Sequence, residues 1–288
     1  MMPIKLIAVD IGGTLINDNN TISREDIETF RKLKQSGIKV CLTTARMYSS
    51  TKYISNIISS DYGVFGNGSV VMNLNNKEII SAAVLTKEDK ADIINFGKCN
   101  NLYIHFSQFF WEGSDEQKYF LLKHQLLNQK YEESLKSNVK QVDNLYEYVI
   151  HNDDIVNLVL VSEDNMDDFY KKLIQDYPNV YVTEYYKNCL ETAINKTINY
   201  IEISKKHTNK KVGLDKLIEH LKLIPDEVLV IGDGKNDIEM FEKFPNSGCL
   251  ANGDDQAKQC AQYLSTKTNN ESGVSEIVEH YRKIRRIL

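Results

Sequence analysis

The stretch with the most chemical potential lies near the beginning of this 288-residue sequence, where a carboxylate ends a short apolar run. Leu6–Val9 contains four apolar residues without alternation, which predicts a buried parallel strand. Asp10 then falls at the carboxyl end of that strand, where open α/β sheets bind their ligands. Gly12 and Gly13 follow, and glycines let the backbone turn sharply and approach a ligand closely.

A second carboxylate motif follows another apolar run near the end of the sequence. Val228–Ile231 predicts a buried strand, and the segment Gly232–Asp237 reads Gly-Asp-Gly-Lys-Asn-Asp. Asp233 and Asp237 are four residues apart across a strand-to-helix turn, so both side chains can face one ion. This strand-then-helix context favours a functional site over an ordinary turn.

The polar clusters of this sequence all lie where predicted strands end, and such ends gather at one edge of a parallel sheet. We expect the following residues to converge there: Asp10, Thr44, Lys210, Asp233 and Asp237. Three carboxylates at one point repel one another unless a cation neutralises them. Oxygen ligands from carboxylates suit Mg²⁺, so the sequence predicts a magnesium site at this edge.

The same cluster also suggests phosphoryl chemistry. A positioned aspartate such as Asp10 can act as a nucleophile and form an aspartyl-phosphate intermediate. Lys210 supplies a second positive charge, and Thr44 offers a hydroxyl and a backbone N–H to a phosphoryl oxygen.

The elements that position these residues begin with a βαβαβ pattern, which predicts an α/β fold with a doubly wound, Rossmann-like parallel sheet. From residue 85 the pattern changes and most of the aromatic residues appear. We therefore predict a core domain from residues 1–84 and 195–288, with an inserted α/β domain over residues 85–194. Residues 115–135 are predicted to be helical, and Tyr200–Ile203 is predicted to be a strand of the core domain.

Composition narrows the class of partner. The net charge is −5, which argues against a nucleic-acid partner. The sequence shows neither an apolar run as long as a membrane span nor a leader-like beginning. Five cysteines without CxxC spacing argue against a disulfide framework or a zinc site. We therefore expect a cytoplasmic protein, monomeric or homodimeric, without a membrane partner.

Together these motifs resemble those of the haloacid dehalogenase superfamily, in particular the Cof-type phosphatases with a large inserted α/β cap. The matching segments occur in the order expected for this group: Asp10–Leu15, Thr43–Arg46, Asn67–Gly68, Lys210, Gly232–Asp237 and Asn252. The resemblance implies that the protein hydrolyses a small phosphorylated metabolite, with the cap closing over the substrate.

The resemblance also assigns roles to the matched positions. It implies that Asp10 is the nucleophile and that Thr44 and Lys210 assist it. It implies that Mg²⁺ is held by Asp10, Asp233, Asp237 and the carbonyl group of Gly12. The residues expected to contact the phosphorylated substrate are Gly12, Gly13, Thr44, Ala45, Arg46, Asn67, Lys210, Asn236 and Asn252.

One position departs from the family pattern. The family has a second aspartate two residues after the nucleophile, where it acts as the general acid and base, and this sequence has Gly12. General acid–base catalysis is typically worth about 10² to 10⁴ in rate. We therefore predict a weakened phosphatase, with a phosphate-binding or regulatory protein of the same fold as the alternative.

A different class of enzyme shares part of the first motif. Val9–Thr14 resembles the first phosphate loop of actin-like sugar kinases, in which the aspartate contacts ATP phosphates. That fold predicts a strand hairpin after the loop and, in many members, clustered cysteines. Residues 23–37 instead have a helical pattern and the cysteines are scattered, so the kinase is the less favoured hypothesis.

Overall fold

A computed structural model of the chain describes residues 2–114, 139–191, 196–284 and 287. The chain forms two compact units. The first comprises Met1–Arg46, Thr51–Ser81 and Asn209–Leu288, and the second comprises Met47–Ser50 and Ala82–Thr208. The predicted helix at 115–135 lies outside the described residues.

The strands are, in chain order, β1 (Leu6–Val9), β2 (Lys39–Thr43), β3 (Tyr62–Phe65), β4 (Val70–Asn73), β5 (Ile79–Ala82), β6 (Tyr103–Gln108), β7 (Glu112–Ser114), β8 (Val139–Gln141), β9 (Ile155–Ser162), β10 (Val180–Glu191), β11 (Lys196–Lys205), β12 (Val228–Gly232), β13 (Asn246–Cys249) and β14 (Tyr263–Leu264). The α-helices are α1 (Arg24–Gln35), α2 (Tyr48–Ile58), α3 (Lys87–Cys99), α4 (Leu145–His151), α5 (Asp167–Asp176), α6 (Lys210–Leu221), α7 (Ile238–Lys243), α8 (Asp255–Cys260) and α9 (Gly273–Lys283). Among the described residues, no helix combines the length and apolar character needed to cross a membrane.

The first unit is built on a sheet with the strand order β14-β13-β12-β1-β2-β3-β4-β5. Strands β14 through β3 are parallel, and β4 returns antiparallel to β3. This arrangement confirms the predicted α/β fold with a parallel sheet. In the central strand, Val9 pairs with Ile231 of β12 and with Leu42 of β2. The three strands therefore end level, which brings the residues that follow them to one edge.

Burial explains why β1 lies at the centre of this sheet. All four of its side chains are fully buried, as expected for a strand covered on both faces. On α6, Leu214 and Leu217 are also fully buried and belong to the same apolar cluster. Burial of these two leucines contributes about 3–6 kcal/mol to the stability of the unit. Helix α6 is thus anchored by its apolar side while its first residue is Lys210.

The second unit has its own sheet, ordered β10-β11-β9-β6-β7-β8, and its own apolar core. In that core, Phe96 makes edge-to-face contacts with Phe169 and Tyr177 at centroid distances of 6.0 and 5.8 Å. Such aromatic pairs add about 0.5–1.5 kcal/mol beyond the burial of their surface.

The return from the second unit to the first differs from the prediction. The segment Tyr200–Ile203 lies in β11, which pairs antiparallel with both β9 and β10 rather than joining the parallel sheet. The longer segment of the second unit accordingly spans Ala82–Thr208, whereas the predicted inserted domain spans residues 85–194. An apolar run predicts a buried strand, but it does not specify which sheet the strand enters.

Two glycines let α6 begin very close to the turn that follows β3. Gly68 has a φ of +95°, and a Cβ there would lie 2.0 Å from the carbonyl oxygen of Asn209. A Cβ on Gly213 would lie 2.8 Å from the Cα of Gly68 and 2.6 Å from Cγ1 of Val64. This close approach sets the position of the helix start that carries Lys210.

We expect Gly213→Ala to destabilise the protein by about 1–3 kcal/mol, because the added methyl group overpacks this contact. Alanine is otherwise favoured over glycine within a helix by about 1 kcal/mol, so a loss isolates the packing effect. Urea unfolding followed by circular dichroism measures the change. Lys216→Ala, on the exposed side of α6, is the control and should change stability by less than about 0.5 kcal/mol. Equal stabilities for the two variants would contradict the packing account.

Candidate active site

Asp10 is the first residue after β1 and is buried at the edge where β1, β2 and β12 end. Its backbone N–H donates to the carbonyl oxygen of Ile231 over 2.9 Å, so the ladder between β1 and β12 continues one residue past the strand. The position of this carboxylate is therefore fixed by the sheet itself.

Lys210 joins two of the predicted carboxylates. Its ammonium group donates to Oδ1 of Asp10 and to Oδ1 of Asp237, both over 2.6 Å, and its side chain is fully buried. Lys210 is the first residue of α6, and the preceding Asn209 caps the helix by accepting from the backbone N–H of Val212 over 2.8 Å. The cap and the ion pairs together fix this ammonium group.

Asp237 shapes the turn that follows β12. Its Oδ2 accepts hydrogen bonds from the backbone N–H groups of Asp233 and Gly234, over 3.0 and 2.9 Å. Both oxygens of this fully buried carboxylate are therefore engaged, one by the turn and the other by Lys210.

Asp233 contacts the turn that follows Asp10. The hydroxyl group of Thr14 donates to Oδ1 of Asp233. Gly13 has a φ of +77°, and a Cβ at this residue would lie 2.3 Å from Oδ2 of Asp233. Any side chain at residue 13 would displace this carboxylate, so the glycine is what permits the close approach of the two turns.

The second predicted motif makes a tight turn after β2. The buried Thr44 donates its backbone N–H to Val64 O over 2.9 Å, and its Oγ1 accepts from the backbone N–H of Arg46 over 3.1 Å. Ala45 lies half-buried between them. The guanidinium group of Arg46 is directed toward Gly12, since its Nη2 lies 4.0 Å from the point that a Cβ on Gly12 would occupy.

Three predicted asparagine side chains tie the turns together. Asn236 donates through Nδ2 to Oδ1 of Asn67 over 3.1 Å, and the backbone N–H of Asn67 donates to Thr44 O over 3.0 Å. Asn252 donates to Gly13 O over 2.7 Å and accepts from the backbone N–H of Asn269 over 2.9 Å. These bonds indicate that the three amides position the loops of the site.

All the predicted site residues lie in the first unit, but sequence reasoning missed several residues that hold them. Thr14 and Asn269 hydrogen-bond to the predicted residues Asp233 and Asn252, and Asn209 caps the helix that begins at Lys210. None of the three had an assigned role. Asn209 carried a usable signal, because asparagine directly before a helix is a preferred N-cap. Nothing in the sequence around Asn269 indicates its bond to Asn252, which is 17 residues away.

The carboxylates of Asp10, Asp233 and Asp237 each offer an oxygen within 4.8 Å of the others. Burial raises the pKa of Asp10 to about 6, with Lys210 opposing the shift and Asp237 adding to it. Burial and the charge of Asp10 raise the pKa of Asp233 to about 7. Burial tends to lower the pKa of Lys210, but the charges of Asp10 and Asp237 outweigh it and raise that pKa.

These shifts show that one lysine does not fully compensate the negative charge of the cluster. Three ionised carboxylates and one ammonium group leave two negative charges on oxygen donors. A hard divalent cation matches both the charge and the donor type, so the residues fit a site for such an ion.

Comparison with known proteins agrees with this geometry. The sequence matches the family of haloacid dehalogenase-like hydrolases over residues 7–278. It is also similar to the 5-amino-6-(5-phospho-D-ribitylamino)uracil phosphatase YitU of Bacillus subtilis, with 26% identity over 299 residues. That match covers 96% of this chain and 97% of the relative.

Solved structures show the same fold. A haloacid dehalogenase-like hydrolase from Bacteroides thetaiotaomicron superposes with a TM-score of 0.78 at 20% identity, covering 96% of this chain and 99% of the other. The protein TM0651 from Thermotoga maritima gives a TM-score of 0.77 at 24% identity, covering 96% and 97% of the two chains.

The raised pKa of Asp233 makes the stability of the metal-free protein depend on pH. Its folded-state pKa of about 7 lies above the unfolded value of about 3.9, so stability is fully present below the unfolded value and decreases as the pH rises toward 7. We expect Asp233→Asn, in EDTA, to have a higher Tm than the wild type at pH 8, with the difference shrinking toward pH 4.

Differential scanning calorimetry at the two pH values provides the measurement. Asp168→Asn makes the same charge change at a side chain that is 98% exposed and should leave Tm nearly unchanged at both. A difference between Asp233→Asn and the wild type that is the same at pH 4 and pH 8 would contradict the electrostatic explanation.

Proposed function

The chain belongs to the haloacid dehalogenase-like hydrolase family, as a phosphatase of the Cof type, and from this we propose that it hydrolyses the phosphate ester of a small metabolite with Mg²⁺ bound. The observation that carries the proposal is the cluster of the buried Asp10, Asp237 and Lys210 with the half-buried Asp233 at one sheet edge. It combines a candidate nucleophile with an oxygen-rich site and a fixed positive charge.

Asp10 and Asp233 are the proposed side-chain ligands of Mg²⁺, with the carbonyl group of Gly12 as a further ligand. Asp237 supports them, because its two oxygens already hold Lys210 and the turn at Asp233. When bound, the ion supplies positive charge that offsets the charge of a phosphoryl group.

Asp10 is the proposed nucleophile. A carboxylate oxygen of Asp10 forms a bond to phosphorus while the ester oxygen leaves, which gives an aspartyl phosphate that water then hydrolyses. Lys210 holds the carboxylate ionised and oriented through its bond to Oδ1. The central position of β1 fixes the backbone behind this oxygen, which limits the motion needed to reach the transition state.

Thr44 and Lys210 still have donors to offer a phosphoryl oxygen. Oγ1 of Thr44 accepts from the backbone N–H of Arg46, so its hydroxyl hydrogen is directed elsewhere. The ammonium group of Lys210 has three hydrogens and uses two of them for Asp10 and Asp237. We assign the remaining donors to the phosphoryl group.

A phosphatase screen of small phosphorylated metabolites, with and without Mg²⁺, tests the proposal. We expect phosphate release that requires Mg²⁺ and that falls by about 10³-fold or more in Asp10→Asn. Isothermal titration of Mg²⁺ should show weaker binding to Asp233→Asn than to the exposed-site control Asp168→Asn. Equal activity of Asp10→Asn and the wild type would refute the proposed nucleophile, and unchanged Mg²⁺ affinity of Asp233→Asn would refute the proposed ligand set.

Gly12 offers a sharper test of the mechanism. Apart from Gly12 and its chain neighbours Ile11 and Gly13, only Nη2 of Arg46 among the described atoms lies within 4 Å of a Cβ built on Gly12, so the position has room for a side chain. We expect Gly12→Asp to raise turnover of an alkyl phosphate about tenfold or more by supplying the missing acid and base. Steady-state phosphate release provides the measurement.

Gly12→Asn is the matched control for this gain, because asparagine has the same shape and does not transfer protons. The gain should appear in Gly12→Asp alone. If the two variants turned over an alkyl phosphate at the same rate, the missing carboxylate would not be what limits catalysis.

A further inference from the structure

Arg46 is a cation at the site whose side chain is not used by the carboxylate cluster. Its Nη1 is buried and has no hydrogen-bond partner among the described residues. The backbone of Arg46 is held on both sides, since its N–H donates to Thr44 Oγ1 and its carbonyl accepts from Gly66 over 3.0 Å. The Lys210 ammonium, in contrast, already contacts two carboxylates. A buried guanidinium N–H without a partner is costly, which points to an anionic ligand for Arg46.

The location of Arg46 indicates which part of a substrate its side chain would contact. Nη2 lies 4.0 Å from the point where a side chain at residue 12 would begin, two residues after the proposed nucleophile. A proton donor projecting from residue 12 would serve the leaving group. In this chain that space adjoins a guanidinium instead.

Beside the leaving group, a guanidinium group and a carboxylic acid do different chemistry. The guanidinium stays charged at all ordinary pH values, so it donates no proton, but its paired N–H groups match the two oxygens of a carboxylate. A departing alcohol needs a proton, because its conjugate base is about as basic as hydroxide, and the pKa of water is 15.7. A departing carboxylate, whose acid has a pKa of about 4, needs none.

We propose that Arg46 binds the leaving group as an anion and that the same site hydrolyses acyl phosphates faster than it hydrolyses phosphate esters. This inference rests on the proposed function, with Asp10 as nucleophile. An oxygen of Asp10 bonds to phosphorus as the acyl oxygen–phosphorus bond breaks, and the electron pair leaves on the carboxylate facing Arg46. Water then attacks phosphorus, the bond to Asp10 breaks, and both protons of the water leave on dihydrogen phosphate. Neither step requires a side-chain acid at residue 12.

The test compares kcat/KM for acetyl phosphate, phenyl phosphate and glycerol phosphate, whose leaving groups become progressively more basic. For the wild type we expect kcat/KM to fall about 100-fold or more from the acyl to the alkyl phosphate. Arg46→Ala should lower the acyl phosphate value about 10- to 100-fold, the usual effect of losing a charged hydrogen bond. It should change the alkyl phosphate value much less. For the acyl phosphate, the kcat/KM of Arg46→Lys, which keeps the charge without the paired donors, should lie between the values of the wild type and Arg46→Ala.

The results separate this inference from the proposed function. The role of Arg46 would be overturned if Arg46→Ala lowered kcat/KM for all three substrates by one common factor, or if the wild type were equally active on all three. Neither result would contradict the proposed phosphatase function. Release of phosphate from none of the three, or release that survives Asp10→Asn, would overturn the proposed function itself. A loss of folding is recognised from the Tm of each variant, and Arg46→Lys keeps the comparison valid if Arg46→Ala unfolds.

Discussion

The buried ammonium group of Lys210 is the interaction on which the candidate site depends. It lies 2.6 Å from an oxygen of Asp10 and 2.6 Å from an oxygen of Asp237, which follow two neighbouring strands. Without it, two buried carboxylates and the half-buried Asp233 would face one another at one sheet edge, and removing one partner of a buried ion pair typically costs about 3–5 kcal/mol. The geometry of helix α6, its Asn209 cap and the Gly68–Gly213 contact all serve to place this one side chain.

Much of the fold and the site followed from local sequence patterns. Asp10, Asp233 and Asp237 were predicted to meet because each follows an apolar run that reads as a buried parallel strand, and the registers of β1, β2 and β12 explain why they do. The destination of Tyr200–Ile203 was wrong, because its pairing with β9 and β10 depends on partners that its own residues do not specify. The bond between Asn252 and Asn269 depends equally on the folded chain.

The two adjacent glycines of the first motif, Gly12 and Gly13, show the same limit of prediction from sequence. From the sequence both read as turn residues. In the structure Gly13 has a positive φ and a carboxylate where its side chain would be, so packing requires it to be glycine. Gly12 has open space beside it, bounded by the guanidinium of Arg46, so packing does not require residue 12 to be glycine. The absence of a side chain at residue 12 is therefore a chemical property of this site and not a demand of the fold.

The central place of β1 also bears on how the chain is made. Strand β12, which pairs with β1, and Lys210, which pairs with Asp10, are synthesised late, because Lys210 is 200 residues beyond Asp10. At typical translation speeds of about 5–20 residues per second, about 10–40 seconds separate their synthesis. During that interval one edge of a wholly apolar strand has no partner, and such edges recruit other strands. The ribosome-bound chain therefore passes through a stage in which a strand that is fully buried in the folded protein still has an unpaired edge.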